Sequence, residues 1–169
     1  MMRLVAGWGF QSSAVQQSFS SCWLQVRQAL SAAQVAHAHW AHALLETRAQ
    51  TAAWAEFAAW AAEQTPDAEL VRCKETDIQQ VTTQTASTRV KQRFGCGSVS
   101  EALSLFGVET LIQKGQYAPE YIACALTVAP QTQLVLPRIV SADRHATLAI
   151  ACVTGFAPAS TSFETGVIS

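Results

Sequence analysis

The feature that most constrains this chain is the stretch at residues 4–14, which reads LVAGWGFQSSA. A short apolar run is followed by two glycines, Gly7 and Gly9, and then by Ser12 and Ser13 ahead of a long helical pattern. Glycine adopts backbone angles that other residues avoid, and it lets a ligand approach the chain closely. The stretch predicts a strand, a tight glycine turn and a helix capped by one of the two serines.

A helix that starts just beyond a strand is suited to binding an anion. Its first backbone N–H groups have no partners within the helix, and its positive dipole end points outward. The GxG pair by itself is weaker than a dinucleotide-binding fingerprint, because position 12 is serine and GxGxxG is absent. A turn with nothing bound therefore stays open as an alternative.

Length and composition favour a single folded domain. The chain has 169 residues, of which half are hydrophobic and 14% are charged, enough to build a substantial core. A formal net charge of -1 argues against a nucleic-acid partner and offers no polybasic patch for a membrane surface. No apolar run approaches the ~20 residues of a membrane span. We expect neither nucleic acid nor membrane as a partner.

The start of the chain and its cysteines point to a cytoplasmic protein. The apolar run after Arg3 is too short for a secretory signal. Five scattered cysteines show no CxxC spacing, which is typical of reduced, mostly buried thiols. Cys96 is either a thiol whose pKa is lowered by a helix start or a small residue tolerated in a turn.

Periodicity predicts alternating helices and strands after the opening stretch. The predicted elements are a helix over about 15–33, a strand over 41–46, a helix over 51–64, a strand over 69–73 and a helical turn over 76–81. Segments 133–140 and 146–153 predict a hairpin joined by the loop 141–145. Residues 107–130 give no clear assignment, and residues 154–169 predict a flexible tail. We therefore expect one α/β domain over residues 1–153, a three-layer α/β/α domain with a C-terminal β-hairpin.

A second pair of glycines, like the first, is followed by a serine and a helical pattern. Gly95 and Gly97 precede Ser98, a candidate helix cap, and Glu101 follows three residues later as in a capping box. Two such helix starts in one small domain predict that both face one anion-binding hollow. The polar loop over residues 82–88 is either a mobile cover or a plain surface connection.

Four segments carry a resemblance to a known family. They read VAGWGF, LLETRAQTAAWAEFAAWA, FGCGSVSEALSL and LVLPRIVSADRHATLAIA. In order, they resemble the family that comprises CobE and the C-terminal domain of CbiG, in cobalamin biosynthesis. The resemblance runs from residue 3 to about residue 152. Its most specific part is a GxGSVxEA motif followed by an LVxP[KR] strand and a TxAIA strand.

The resemblance implies a place in building the corrin ring, with a precorrin or corrin intermediate as ligand. We expect a protein that binds this tetrapyrrole and assists or carries it between steps, with other cobalamin-pathway enzymes as further partners and no cofactor. Acetate and propionate groups on such a ligand suit helix N–H donors. The alternatives are an enzyme that opens a lactone and releases a two-carbon fragment, and an unrelated small-anion module.

The resemblance also implies cationic anchors, and this chain departs from the family pattern at several of them. Arg48 keeps a cation where Lys is usual, although Thr51 replaces the acid that follows it. Arg138 likewise stands in place of Lys, and Gln11 in place of Arg. Arginine can clamp a carboxylate through two hydrogen bonds, whereas lysine cannot. We expect Trp8 to stack on the macrocycle. The predicted ligand-binding set is Gly7, Trp8, Gly9, Gln11, Ser12, Ser13, Arg48, Gly95, Gly97, Ser98 and Arg138.

Other chemistries have weaker support in the sequence. No G-x-S-x-G elbow is present, so the serines near the glycines fit helix caps better than nucleophiles. His37, His39 and His42 fit a solvated or hydrogen-bonded cluster better than a metal site, and no metal is expected. The acids Glu46, Glu75, Asp77 and Glu101 are candidates for general acid or base work. Glu101 is the one we single out, although a capping partner is its favoured interpretation.

Overall fold

A five-stranded mixed sheet organises the part of the chain that the structure describes, residues 2–114 and 131–154 of a computed structural model. The elements in chain order are β1 (Arg3–Phe10), α1 (Gln16–Ala29), α2 (Ala32–His37), β2 (His39–Leu45), a 3-10 turn (Glu46–Gln50), α3 (Ala52–Gln64), β3 (Glu69–Cys73), α4 (Glu75–Ile78), α5 (Thr88–Phe94), α6 (Val99–Gln113), β4 (Gln131–Val140) and β5 (Ala146–Thr154).

The strand order is β3-β2-β1-β5-β4. Strands β1, β2 and β3 are parallel, β5 is antiparallel to β1, and β4 is antiparallel to β5. The predicted α/β class and the C-terminal hairpin are confirmed. Because of these directions, the carboxyl ends of the parallel strands and the hairpin loop 141–145 share one edge of the sheet, which we call the carboxyl edge.

One face of the sheet carries an aromatic core, the aromatic face. Alternate residues of a strand point to opposite faces, and Leu4, Ala6, Trp8 and Phe10 of β1 all pack here with α1 and α3. The ring centroids of Trp8 and Trp60 lie 4.9 Å apart in an edge-to-face arrangement. This is a geometry that aromatic pairs favour.

The opposite face, the α6 face, is built on close approach of small residues. Val5 of β1 packs here with α6 and neighbouring apolar residues. A Cβ atom on Gly7 would lie 2.1 Å from the carbonyl oxygen of Ser100 and 2.4 Å from the amide nitrogen of Ser104. The helix therefore lies directly on the strand backbone. With helices on both faces, the predicted three-layer arrangement is confirmed.

The predicted glycine turn is wrong. Gly7 and Gly9 lie inside β1, where Gly7 pairs with Ala43 of β2 and Ala149 of β5. Because β1 is the central strand, it pairs on both sides: its pairing with β2 extends to Trp8 and its pairing with β5 extends to Phe10. The chain turns only after Phe10. Gly7 serves helix packing instead of a turn.

Several helix boundaries also differ from prediction. The long helix expected over 15–33 ends at Ala29, and a separate helix α2 follows. The cause is Ser31, which accepts a hydrogen bond from the amide of Gln34 and starts the new helix with a capping box. Helix α5 was not predicted.

Other elements agree closely with prediction. Strand β3 has the predicted bounds, and β2 and α3 begin and end within about two residues of theirs. Residues 107–113 belong to α6, whereas the rest of the unassigned segment, from 115, and the predicted tail beyond residue 154 lie outside the described residues. Within the described ranges, none of the helices has both the length and the apolar character needed to cross a bilayer.

Candidate functional site

Most of the predicted binding residues lie at the carboxyl edge. Gln11, Ser12 and Ser13 follow β1, Arg48 lies in the 3-10 turn after β2, and Arg138 lies near the end of β4. Helix α1 leaves β1 on the aromatic face, while α6 packs on the other face and precedes β4. Ligands of open α/β sheets bind beyond the carboxyl ends of strands, where successive connections diverge to opposite faces.

Trp8 does not have the predicted role. Its side chain is 0% exposed, and its indole N–H donates to Nδ1 of His42 at 3.0 Å. Its ring is enclosed by Phe19, Phe57 and Trp60. The prediction that Trp8 stacks on a macrocycle is therefore wrong, because the ring is core.

The start of α1 is closed by the protein's own groups. Ser12 and Ser13 are exposed and do not cap the helix, which begins after Val15. The amide of Val15 donates to Oγ of Ser18 at 3.1 Å, and the amide of Gln16 donates to a carboxylate oxygen of Glu56 at 3.1 Å. These bonds occupy the amides of Val15 and Gln16, which the predicted shared hollow would need as free donors to an anion.

The second glycine pair has roles other than holding a ligand. Gly95 ends α5 in the left-handed conformation, with φ of 74°, as C-terminal glycines commonly do. Gly97 touches the segment 82–87, which we call the strap: an added Cβ would lie 2.4 Å from Oγ1 of Thr83 and 2.6 Å from the carbonyl oxygen of Thr85. Ser98 caps α6 as predicted, because its hydroxyl accepts from the amide of Glu101.

Glu101 is not a capping-box partner. Its side chain is 0% exposed. Its carboxylate accepts hydrogen bonds from the amide of Thr85 at 3.0 Å, from the hydroxyl of Thr85 at 2.9 Å and from the amide of Arg138 at 2.9 Å. The sequence signal for this role is a lone acid within a stretch of small and apolar residues, SVSEALSL.

Cations gather at the carboxyl edge beside the 3-10 turn. Arg48 is half-buried. Burial lowers the pKa of Arg48, the charge of Arg93 lowers it further, and Glu75 acts in the opposite direction. In the part of the chain described, the Arg48 guanidinium has neither an ion pair nor a hydrogen bond.

Arg93 is a candidate residue that sequence reasoning missed. It lies in the last turn of α5, and its guanidinium stacks over the ring of Phe94 at 5.0 Å. This stacking holds a second cation next to Arg48. A run of basic residues, TRVKQRF, is its only trace in the sequence.

Asp143 fixes the hairpin loop to the aromatic face of the sheet. Although burial acts to raise its pKa, hydrogen bonds from Ser141 and Ser18 lower the pKa of Asp143 to about 2. The amide of His145 donates to the same carboxylate, and the amide of Gln11 donates to the carbonyl of His145 at 2.9 Å. These hydrogen bonds therefore hold the hairpin loop in place at the carboxyl edge.

A cavity of about 700 Å³ lies at the other end of the molecule, and we call it the amino-edge cavity. It is bounded by the end of α1, by α2, by the start of β2 and by the segment after α3. None of the predicted binding residues lines it. Its lining residues are Trp23, Arg27, Ala32, Val35, Ala36, His37, Ala38, His39, Trp40, Gln64, Thr65, Pro66, Asp67 and Ala68.

The three histidines do not form one cluster. His37 and His39 line the amino-edge cavity, whereas His42 is 2% exposed within the aromatic face. Since Nδ1 of His42 accepts from Trp8, its Nε2 carries the proton and faces Oγ1 of Thr65 at 2.7 Å. Among the residues described, no group of three His, Cys, Asp or Glu side chains can hold a metal ion.

The four thiols in the described part of the chain are not activated. Cys22, Cys73 and Cys96 are buried and free, and Cys152 is half-buried and free. Burial raises the pKa of Cys96, against a smaller opposite effect of backbone hydrogen bonds. The prediction of a lowered pKa at this position is wrong, whereas its alternative, a small residue fitted into a turn, agrees with the structure.

Comparison with known proteins identifies the family. The model of the family described as cobalamin synthesis G C-terminus matches residues 4–151. The chain belongs to this family. No curated protein matches this member of the cobalamin synthesis G C-terminus family.

A solved structure supports the fold of this cobalamin synthesis family member. It is the crystal structure of CobE, described as a protein from the cobalamin (vitamin B12) biosynthetic pathway. The match has a TM-score of 0.62 at 15% identity, and it covers 92% of this chain and 94% of the CobE chain. At that identity the likeness shows a shared fold.

Proposed function

We propose that this cobalamin-family protein binds a precorrin or corrin intermediate at the carboxyl edge and assists or carries it between steps. Membership in a cobalamin-synthesis family supports a tetrapyrrole with several carboxylate side chains as the class of ligand. The carboxyl edge supplies cations on more than one element, with Arg48 after β2, Arg93 at the end of α5 and Arg138 on β4.

The observation that carries the proposal is a half-buried guanidinium that forms no ion pair or hydrogen bond with any of the described residues. Arg48 is partly desolvated and lies near a second cation, Arg93, an arrangement that an anion would stabilise. Charged hydrogen bonds between guanidinium and carboxylate are strong and directional. Carboxylates on a bound ligand would supply the missing charge.

The spacing of the cations suits a large ligand with peripheral carboxylates. Strands β2 and β4 are separated in the sheet by β1 and β5, so they lie roughly three strand spacings, about 14 Å, apart. Arg48 follows β2 and Arg138 belongs to β4. A macrocycle with acids around its rim can reach both sides, which favours it over a single small anion.

Binding is favoured over chemistry by the state of the candidate reactive groups. The carboxylate of Glu101 is buried and already accepts three hydrogen bonds. The hydroxyls of Ser98 and Ser100 are buried and lie 3.3 Å from each other. A general base needs access to the proton that it removes, and these groups have none.

The test is a spectral titration with a corrin that carries free carboxylates, hydrogenobyrinic acid. We expect a saturable absorbance shift without product, and a roughly tenfold weaker affinity in Arg48→Ala or Arg138→Ala, because hydrogen bonds between charged groups contribute about 1.5–3 kcal/mol. Arg27→Ala, at the amino-edge cavity, is the matched control and should bind as the wild type does.

Each other outcome assigns a different role. Unchanged affinity in both carboxyl-edge variants, with weakening in Arg27→Ala, would place the ligand in the amino-edge cavity. Release of a two-carbon fragment from a precorrin would establish the enzyme alternative. Stabilisation by inorganic phosphate with no response to the corrin would favour the small-anion module.

A further inference from the structure

We infer that Glu101 is a positioning residue, whose buried carboxylate holds the strap and the backbone of Arg138 in the arrangement that binds ligand. This inference rests on the proposed function, because it deepens the description of the same carboxyl-edge site. It assigns to Glu101 a role other than the catalytic and capping roles that the sequence suggested.

The burial of Glu101 requires an explanation. A carboxylate removed from water is destabilising unless donors replace its hydration. Glu101 is 0% exposed, and its oxygens accept from two donors of Thr85 and one of Arg138, all between 2.9 and 3.0 Å. These donors come from segments 16 positions before and 37 positions after it in the chain. The carboxylate therefore joins three separate segments at one point.

The bond to Arg138 is the one that connects Glu101 to the site. Strand β4 has register irregularities against β5 between Leu136 and Ile139, so Arg138 lies where the regular ladder is interrupted. The amide of Arg138 donates to Glu101 instead of to β5. Irregularities of this kind re-aim side chains. Glu101 thus fixes the backbone from which the exposed Arg138 guanidinium extends.

The hydrogen bonds between Glu101 and Thr85 hold the strap beside β4, the strand that carries Arg138. Both the amide and the hydroxyl of Thr85 donate to Glu101, and the amide of Ser87 donates to the carbonyl of Gly97 at 2.9 Å. Gly97 leaves the room that the strap occupies. The sequence left two alternatives for this loop, a mobile cover and a plain surface connection. The structure shows neither: the strap is held by hydrogen bonds to the start of α6.

The decisive experiment is a double-mutant cycle with hydrogenobyrinic acid as the probe. Glu101→Gln keeps the shape of the side chain, but its amide NH2 replaces one of two oxygens that accept hydrogen bonds from Thr85 and Arg138. We expect it to raise the dissociation constant roughly tenfold. If Glu101 acts through Arg138, its effect should largely vanish in an Arg138→Ala background, since coupled residues are non-additive. Additive effects, or an unchanged affinity in Glu101→Gln, would overturn the inference.

Two further variants separate positioning from loss of stability. Ser104→Ala removes a buried hydroxyl whose hydrogen-bond partner among the described residues is the carbonyl of Glu101, and it should change stability without changing affinity. Thr85→Val removes one of the three donors and should weaken binding by a smaller factor. It keeps the inference testable if Glu101→Gln does not fold, because unchanged affinity in Thr85→Val would then contradict it.

Amide hydrogen exchange in the ligand-free protein distinguishes the two proposals. Thr85→Val removes no backbone donor, whereas Glu101→Gln should speed exchange at the amides of Thr85 and Arg138 but not in β3. Exchange at wild-type rates would overturn the positioning role whatever the ligand. If the wild type does not bind the corrin, the proposed function is contradicted. If exchange in Glu101→Gln is nevertheless faster, the structural role of Glu101 is still supported.

Discussion

The two faces of the sheet are built from different materials. On the aromatic face, large rings from β1, α1 and α3 pack edge to face, with Phe57 touching the rings of Trp8 and Phe19. On the α6 face, glycine and alanine let a helix lie directly on the strands. The buried polar residues of the α6 face lie in the first turns of that helix and are Ser98, Ser100, Glu101 and Ser104.

The difference indicates that stability and site-building are divided between the faces. Burial of large aromatic side chains supplies much of the free energy of folding, and the aromatic face has most of them. The polar groups of the α6 face contribute less net stability, because each exchanges bonds to water for bonds to protein. Their positions next to the strap and Arg138 set the geometry of the carboxyl edge.

The largest effect should follow from emptying the aromatic face. Phe57 is 1% exposed and lies among other rings. Phe57→Ala should lower the free energy of unfolding by about 3–5 kcal/mol, because it removes buried apolar contacts and leaves a cavity. Urea unfolding followed by tryptophan fluorescence measures this. Leu24→Ala, at a side chain that is 56% exposed on α1, should change it by less than about 0.5 kcal/mol. Equal losses in the two variants would contradict the assignment of the core.

The next effect concerns His42, a titratable group buried within the aromatic face. Burial lowers the pKa of His42 from 6.5 to about 4. Between these values the unfolded chain binds a proton that the folded protein excludes, so stability falls as the pH drops from about 6.5 to 4 and is complete above that window. The expected loss is roughly 3 kcal/mol.

Urea unfolding at pH 7.5 and pH 4.5 measures this loss, and His42→Asn is the variant that cannot titrate. The wild type should lose most of the stated stability between the two conditions, while His42→Asn starts lower and changes less. Asp143, whose pKa is lowered to about 2, loses its contribution only as the pH falls below about 3.8 and on towards 2, outside this comparison. An equal fall in both proteins would show that His42 is not the titrating group.

A smaller effect should follow from disturbing the α6 face. A Cβ on Gly7 would lie 2.1 Å from a backbone oxygen of α6, so Gly7→Ala should destabilise by about 1–3 kcal/mol through overpacking. In Gly9→Ala the nearest atom is Oγ1 of the Thr147 side chain at 2.8 Å, which can rotate away. Thermal unfolding should rank Gly7→Ala well below Gly9→Ala. The reverse order would contradict the close approach of α6 to β1.

Local patterns in the sequence predicted much of the fold. Alternation and turn residues located β3 and the hairpin, and the apolar stripe of α3 located that helix. The prediction for Gly7 is wrong because the sequence does not distinguish a glycine needed for a turn from a glycine needed for close packing of a helix on a strand. The helix that requires Gly7 lies about a hundred residues further along the chain.

The candidate site was predicted less completely for the same physical reason. Ser98 was recognised as a cap because its partner is three residues away. The partners of Glu101 are Thr85 and Arg138, and only the fold brings them together. Arg93 gained its place beside Arg48 from a short basic helix that apolar periodicity does not detect.

The most direct test of the central claim is hydrogen exchange of the wild-type protein with and without saturating hydrogenobyrinic acid. Binding at the carboxyl edge predicts slower exchange in residues 46–51, 82–98 and 138–145, with residues 27–40 and 64–68 unchanged. Protection confined to residues 27–40 and 64–68, around the amino-edge cavity, would contradict the account.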